Sequence, residues 1–199
     1  MVQSLDVLQE TPSQTAGPYV HIGLIQAHAG MENYYDEELG QSPIEEGALG
    51  EVIEITGSVY DGTGWALRDA LIESWQPDAQ GKFSKQDGAD PKVHGYCRFA
   101  ADAETGEFTL RTVKPGRVGS RYGVMQAPHI SLWIVARGIN VGLQTRIYFD
   151  DENNAGDPLL SRIEQTPRVQ TLIAKKTGEG KYRFDIRLQG DGETVFLDI

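Results

Sequence analysis

The sequence predicts an all-β sandwich, and three observations carry that prediction. Apolar residues recur with a period of two in short runs. Glycine, proline, aspartate and asparagine break those runs at short intervals. Only DPLLSRI at 157–163 reads as a helix, with Asp157 as N-cap and Pro158 at the first helical position. The expected architecture is therefore a β-sandwich with one short helix and a long irregular N-terminal segment.

That segment covers residues 1–49. TPSQTAGPYVHIG is rich in turn formers, and MENYYDEELGQSPIEEGALGE is acidic and weakly periodic. A stretch of that length without regular structure is usually functional or partner-bound, or else disordered, and its aromatics and Gly/Pro turns argue against disorder alone. The acidic run Glu32–Glu46 reads as a solvated face.

The sandwich domain covers 50–199. In EVIEITGSVYD (51–61), Ile53, Ile55, Gly57 and Val59 share one face, and Glu54, Thr56 and Ser58 share the other. The turn Asp61-Gly-Thr-Gly64 ends that strand. ALIESWQ, HGYCRFA and EFTLRTV give three more strands, the last stopping at Lys114-Pro115-Gly116. HISLWIVAR and LQTRIYF follow. KYRFDIRLQ puts Tyr182, Phe184, Ile186 and Leu188 on one face, and ETVFLDI closes the chain. Trp65, Trp75 and Trp133 read as packing or interface residues.

Composition excludes several classes of function. A chain of 199 residues with 39% hydrophobic content can bury one ordinary core. A net charge of −11 argues against nucleic acid and against an anionic membrane surface. The start MVQSLDVLQE has neither a basic n-region nor an apolar h-region, so no signal peptide is expected. The longest apolar stretch, Ile130–Ala136, is interrupted by Ser131 and falls far short of the ~20 residues of a membrane span. One cysteine, Cys97, allows no internal disulfide and fits a reducing cytoplasm.

Motifs taken singly are uninformative. His21, His28, His94 and His129 lie in no zinc-type spacing, and no G-x-S-x-G, P-loop or Rossmann fingerprint is present. APHIS at 127–131 raises a sharper question. Residues i and i+2 of a strand point the same way, so a His-x-His there would pair two imidazoles for a metal. Here the second position is Ser131.

The segments together say more. TPSQTAGPY (11–19), SVYDGTG (58–64), ESWQ (73–76), LRTVKPG (110–116), APHIS (127–131), RIYFDDE (146–152) and RFDIRLQG (183–190) occur in that order over most of the chain. In this the sequence resembles the intradiol ring-cleavage dioxygenases. The resemblance implies a ferric ion held by two tyrosines and two histidines. Fe(III) is a hard cation that favours anionic oxygen, here phenolate, with imidazole beside it.

Matched residue by residue, this chain departs from that set. WQPDAQGKF puts Phe83 at the first tyrosine, and KPGRVGS puts Arg117 and Val118 where the family has proline and the second tyrosine. In QAPHIS, His129 is kept, Ser131 replaces the second histidine and Gln126 replaces the family's catalytic arginine. The resemblance therefore implies an α-type subunit with no metal ligands and no catalytic residues of its own. Fe(III) would be carried by a catalytic β partner in a higher-order αβ hetero-oligomer. The implied reaction is O2-dependent cleavage of protocatechuate (3,4-dihydroxybenzoate) to 3-carboxy-cis,cis-muconate, in the β-ketoadipate pathway of aromatic catabolism.

By the same resemblance, Gly17, Pro18, Tyr19 and Arg137 would line the substrate cavity built on the partner. A tyrosine hydroxyl can donate to a ring carboxylate, and a guanidinium can clasp one with a bidentate fork. Other readings stand beside this. Tyr19 could anchor the N-terminal segment to the sandwich, and Arg137 could be a surface charge. The chain could hold metal with a rearranged set of His94, Tyr122 and His129, or be a β-sandwich binding module without enzymatic role.

Overall fold

The computed structural model describes residues 12–31, 39–120 and 123–198. Among the described residues one α-helix, α1 (Val20–Leu24), precedes eleven strands. These are β1 (Val52–Tyr60), β2 (Leu71–Trp75), β3 (Tyr96–Ala100), β4 (Glu107–Val113), β5 (Val118–Gly119) and β6 (Met125–Gln126). There follow β7 (Ile130–Val135), β8 (Leu143–Phe149), β9 (Ile173–Gly178), β10 (Lys181–Arg183) and β11 (Ile186–Arg187).

β1 is the spine of one half. It pairs antiparallel with β4 from Val52 opposite Val113 to Ser58 opposite Glu107. Along its other edge run β10 and then β11, both parallel. Glu54 faces Lys181 and Val59 faces Ile186, so β10 and β11 are one strand in one register with a break between them. At the break the Asp185 carboxylate accepts the Ser58 N–H at 3.1 Å, standing in for a backbone carbonyl. Tyr182, Phe184 and Ile186 are all buried, as the alternation of KYRFDIRLQ requires. A side chain at Gly57 is impossible, because its Cβ would lie 1.8 Å from the Phe184 carbonyl oxygen.

The other half is the antiparallel series β3–β2–β7–β8. β9 joins the two halves. Its Ile173 and Ala174 pair parallel with Tyr148 and Phe149, and from Lys175 it pairs antiparallel with β10. A strand that changes partner partway is how one hydrogen-bonded path folds over to make two facing layers. Ile53, Ile55, Phe108 and Leu110 from one half meet Ile72, Leu132, Ile134 and Ile147 from the other in one core. Each such buried side chain contributes roughly 1.5–3 kcal/mol.

Helix falls elsewhere than the sequence predicts. DPLLSRI forms a 3-10 turn at Leu160–Arg162 and not an α-helix. Asp157 still caps it, accepting the N–H groups of Leu159 and Leu160 at 2.9 and 3.0 Å. Extended backbone at Ile163 stops propagation. The α-helix lies instead within 1–49, where five residues are too few to show a helical period. Ile44, also in that stretch, is buried against Val93 and Val113. Two further features have weak sequence signals: the two-residue pair β5–β6, and β9, which has only Ile173 and Ala174 to bury. Among the described residues no helix is long and apolar enough to cross a membrane.

Candidate functional site

Gly17, Pro18 and Tyr19 form the turn that leads into α1, with the Val20 N–H donating to the Gly17 carbonyl at 3.2 Å. Tyr19 is the N-cap residue of α1. Its side chain is 75% exposed, so it does not anchor the segment to the sandwich. Anchoring falls to Thr15. The Thr15 hydroxyl accepts the Gly138 N–H at 2.7 Å and lies 3.2 Å from the Ala136 carbonyl, within donating distance. Those two bonds flank Arg137, so the structure brings the Gly-Pro-Tyr turn to the segment that carries Arg137.

Arg137 is well exposed, and its Nε lies 3.2 Å from Oδ2 of Asp69, which is buried. Next to this pair His21, the buried residue of α1, holds its ring 5.6 Å from that of His28, edge to face. Burial and then His28 lower the His21 pKa, and Asp69 opposes them. Asp69 and Thr15 went unnoticed in the sequence. Neither belongs to a motif, and only the fold places them beside Arg137.

The positions where the family has metal ligands lie on a different part of the molecule. Phe83 is half-buried and stacks flat on Trp75, with ring centroids 5.9 Å apart. Val118 is buried in β5, and Arg117 is exposed, reaching the Asn153 carbonyl at 3.3 Å. Ser131 is flanked in register by Trp75 on β2 and Arg146 on β8. Arg146 donates to Gln126 Oε1 at 2.8 Å and to the Tyr148 hydroxyl at 3.4 Å. Asp157, buried, completes the group by accepting the Ala127 N–H at 2.8 Å.

His129 is buried in this cluster. Its neutral ring donates from Nδ1 to the Ala127 carbonyl at 2.8 Å and packs against Tyr148. Burial first, and the Arg146 charge second, bring its pKa down to about 4. Burial likewise pushes the Tyr148 hydroxyl up.

This donor set does not fit a ferric ion. Phenylalanine and valine have no lone pair, and one imidazole and one hydroxyl are weak donors for a hard cation. A guanidinium also lies across the strand from the serine. Of the rearranged set, His94 pairs with the exposed Glu45 at 2.9 Å, and Tyr122 lies outside the described residues. Among the described residues no three histidine, cysteine or acidic side chains cluster as metal ligands.

A family model described as Dioxygenase matches residues 30–190. The chain is 49% identical to the protocatechuate 3,4-dioxygenase alpha chain of Pseudomonas putida, over 98% of each chain. It is 32% identical to the protocatechuate 3,4-dioxygenase beta chain of Burkholderia cepacia, over 80% of this chain and 74% of that one. Among solved structures it is similar to the 3-chlorocatechol 1,2-dioxygenase of Rhodococcus opacus, with a TM-score of 0.57 and 20% identity. That match covers 74% of this chain and 63% of the other, and it shows the shared fold.

Proposed function

Because the chain belongs to the intradiol ring-cleavage dioxygenase family, we propose that it is the α chain of a protocatechuate 3,4-dioxygenase, completing an active site whose iron a β chain holds. The observation that carries this is Thr15, which ties the segment bearing the exposed Tyr19 to the backbone on both sides of Arg137. Neither side chain is used up in packing the sandwich. Both present polar groups outward, as a subunit must if it supplies one wall of a neighbour's cavity.

In this reading Gly17, Pro18, Tyr19 and Arg137 contact the substrate. The ferric ion, when bound by the partner, supplies chelation of the catechol oxygens and activation of the ring toward O2. This chain's part is recognition at the far side of the ring. The Arg137 guanidinium clasps the carboxylate, and the Tyr19 hydroxyl donates to it. The closed wall keeps bulk water from the reacting face. Residues 1–49 contact the partner, with Ile44 among them packed on the sandwich domain at 50–199. The assembly is an αβ hetero-oligomer in the cytoplasm, where the single buried Cys97 needs no disulfide partner.

The test is to produce the chain alone and together with a β chain from the same source, then measure iron and visible absorption. Fe(III)–phenolate centres absorb visible light. A colourless, iron-free α chain beside a coloured αβ complex that opens protocatechuate supports the proposal. Stoichiometric iron in the chain alone defeats it.

A further inference from the structure

The carboxylate behind Arg137 is oddly placed for one that serves folding alone. Asp69 is only 8% exposed, and aspartate is seldom so buried unless paired. Among the described residues its ion-pair partner is Arg137, met through Oδ2 at 3.2 Å, and its Oδ1 is buried with no hydrogen-bond partner. The same holds for Nδ1 of His21, the buried residue of α1, whose ring feels the Asp69 charge. A buried carboxylate without its full set of bonds costs stability. The shortest approach to the guanidinium is at Nε, and the arginine side chain stays 60% exposed. Its two Nη nitrogens are the fork that clasps a carboxylate.

We propose that Asp69 is a positioning residue that holds Arg137 by its Nε and aims the Nη fork at the carboxylate of an aromatic acid substrate. The proposal rests on the reading of Arg137 as a wall of the substrate cavity. It assigns Asp69 a place in specificity rather than in chemistry. Arg137 sits on a segment between strands with a long, rotamer-rich side chain, and its fork would otherwise sample many directions. A buried anion at Nε fixes one of them before substrate arrives, so less freedom is lost on binding. His21, the buried residue of α1, feels the charge of the same carboxylate.

The experiment uses the αβ complex with the α variants Asp69→Asn, Arg137→Ala, Arg137→Lys and the double variant Asp69→Asn/Arg137→Ala. Protocatechuate affinity is read by anaerobic spectral titration, and KM and kcat by oxygen uptake. Iron content and melting temperature serve as controls. Asp69→Asn should raise Kd and KM about tenfold with kcat within about twofold, and it should add nothing in the Arg137→Ala background. If Arg137→Ala weakens binding and Asp69→Asn does not, positioning is wrong and the cavity reading stands. If Arg137→Ala leaves binding unchanged, the cavity reading falls and takes this proposal with it. Equal losses from Asp69→Asn with and without Arg137 would mean that it acts through folding, overturning the proposal. Should Asp69→Asn fail to assemble, Arg137→Lys decides. Its ammonium is captured by Asp69 and has no fork left, so it must bind protocatechuate as weakly as Arg137→Ala, and wild-type affinity would refute the idea.

Discussion

The Thr15 hydroxyl accepts the Gly138 N–H at 2.7 Å across 123 positions of sequence. With the Ala136 carbonyl 3.2 Å from the same oxygen, one side chain fixes the backbone on both sides of Arg137. Thr15→Val keeps the shape and removes both bonds. The contact is near the surface, so the loss should be about 1 kcal/mol. Amide hydrogen exchange at Gly138 should quicken several-fold, and protocatechuate KM in the αβ complex should rise by a similar factor. Unchanged exchange at Gly138 would show that the N-terminal segment is held by something else.

Arg146 donates to Gln126 across the face where the family holds its metal. A fixed positive charge there opposes a cation by about 4 kcal/mol per unit of its charge at 4 Å and an effective dielectric of 20. Restoring donors alone should therefore not restore iron. The chain carrying Phe83→Tyr, Val118→Tyr and Ser131→His should stay well below stoichiometric iron. Adding Arg146→Gln should raise the iron content and bring up phenolate absorption. Full occupancy with Arg146 in place would show that its charge is no barrier.

The strands were legible because alternation is local. EFTLRTV became β4 without a residue's error, and the buried face of KYRFDIRLQ was readable from its pattern. Through the family's spacing the sequence put Phe83, Val118 and Ser131 at the positions where that family has donors. What escaped was whatever depends on contacts between distant segments. Asp69 and Thr15 carry no local signature, since their meaning comes from lying beside Arg137. Arg146 carries no signature of its own within LQTRIYF, and only the register opposite Ser131 reveals where its charge lies. The helix was misplaced because Asp157 offers the same cap to a 3-10 turn as to an α-helix.

Gly57 has no room for a methyl group. Its Cβ would lie 1.8 Å from the Phe184 carbonyl and 2.6 Å from the Phe108 ring, so the backbone of the β10–β11 strand would have to move away from β1. Overpacking typically costs about 1–3 kcal/mol, and displacing a backbone ladder belongs at or above the upper end. Gly57→Ala should lower the urea midpoint sharply or leave the chain insoluble. A midpoint within error of wild type would show that the two strands separate cheaply.

Stability of the chain should fall between neutral pH and about pH 4 because of His129. An unfolded histidine titrates near about 6.5, and in the fold burial and the Arg146 charge bring His129 to about 4. Between those values the unfolded chain binds a proton that the folded chain does not, so unfolding gains as pH drops. The contribution is complete above the unfolded value and is lost as pH falls through the window to the folded one. The full shift corresponds to about 3 kcal/mol. His21, also lowered, acts with the same sign. Asp151, held down to about 2 by Lys114 and Lys176 against the effect of burial, adds its loss only below its usual carboxylate range. The two effects therefore separate along the pH axis. His129→Asn retains a donor for the Ala127 carbonyl but does not titrate. Urea unfolding at pH 7 and pH 4.5 should show the wild-type chain losing about 2 kcal/mol more than the variant over that interval. Parallel losses in the two proteins would mean that His129 takes up its proton without opening the cluster around Arg146 and Asp157.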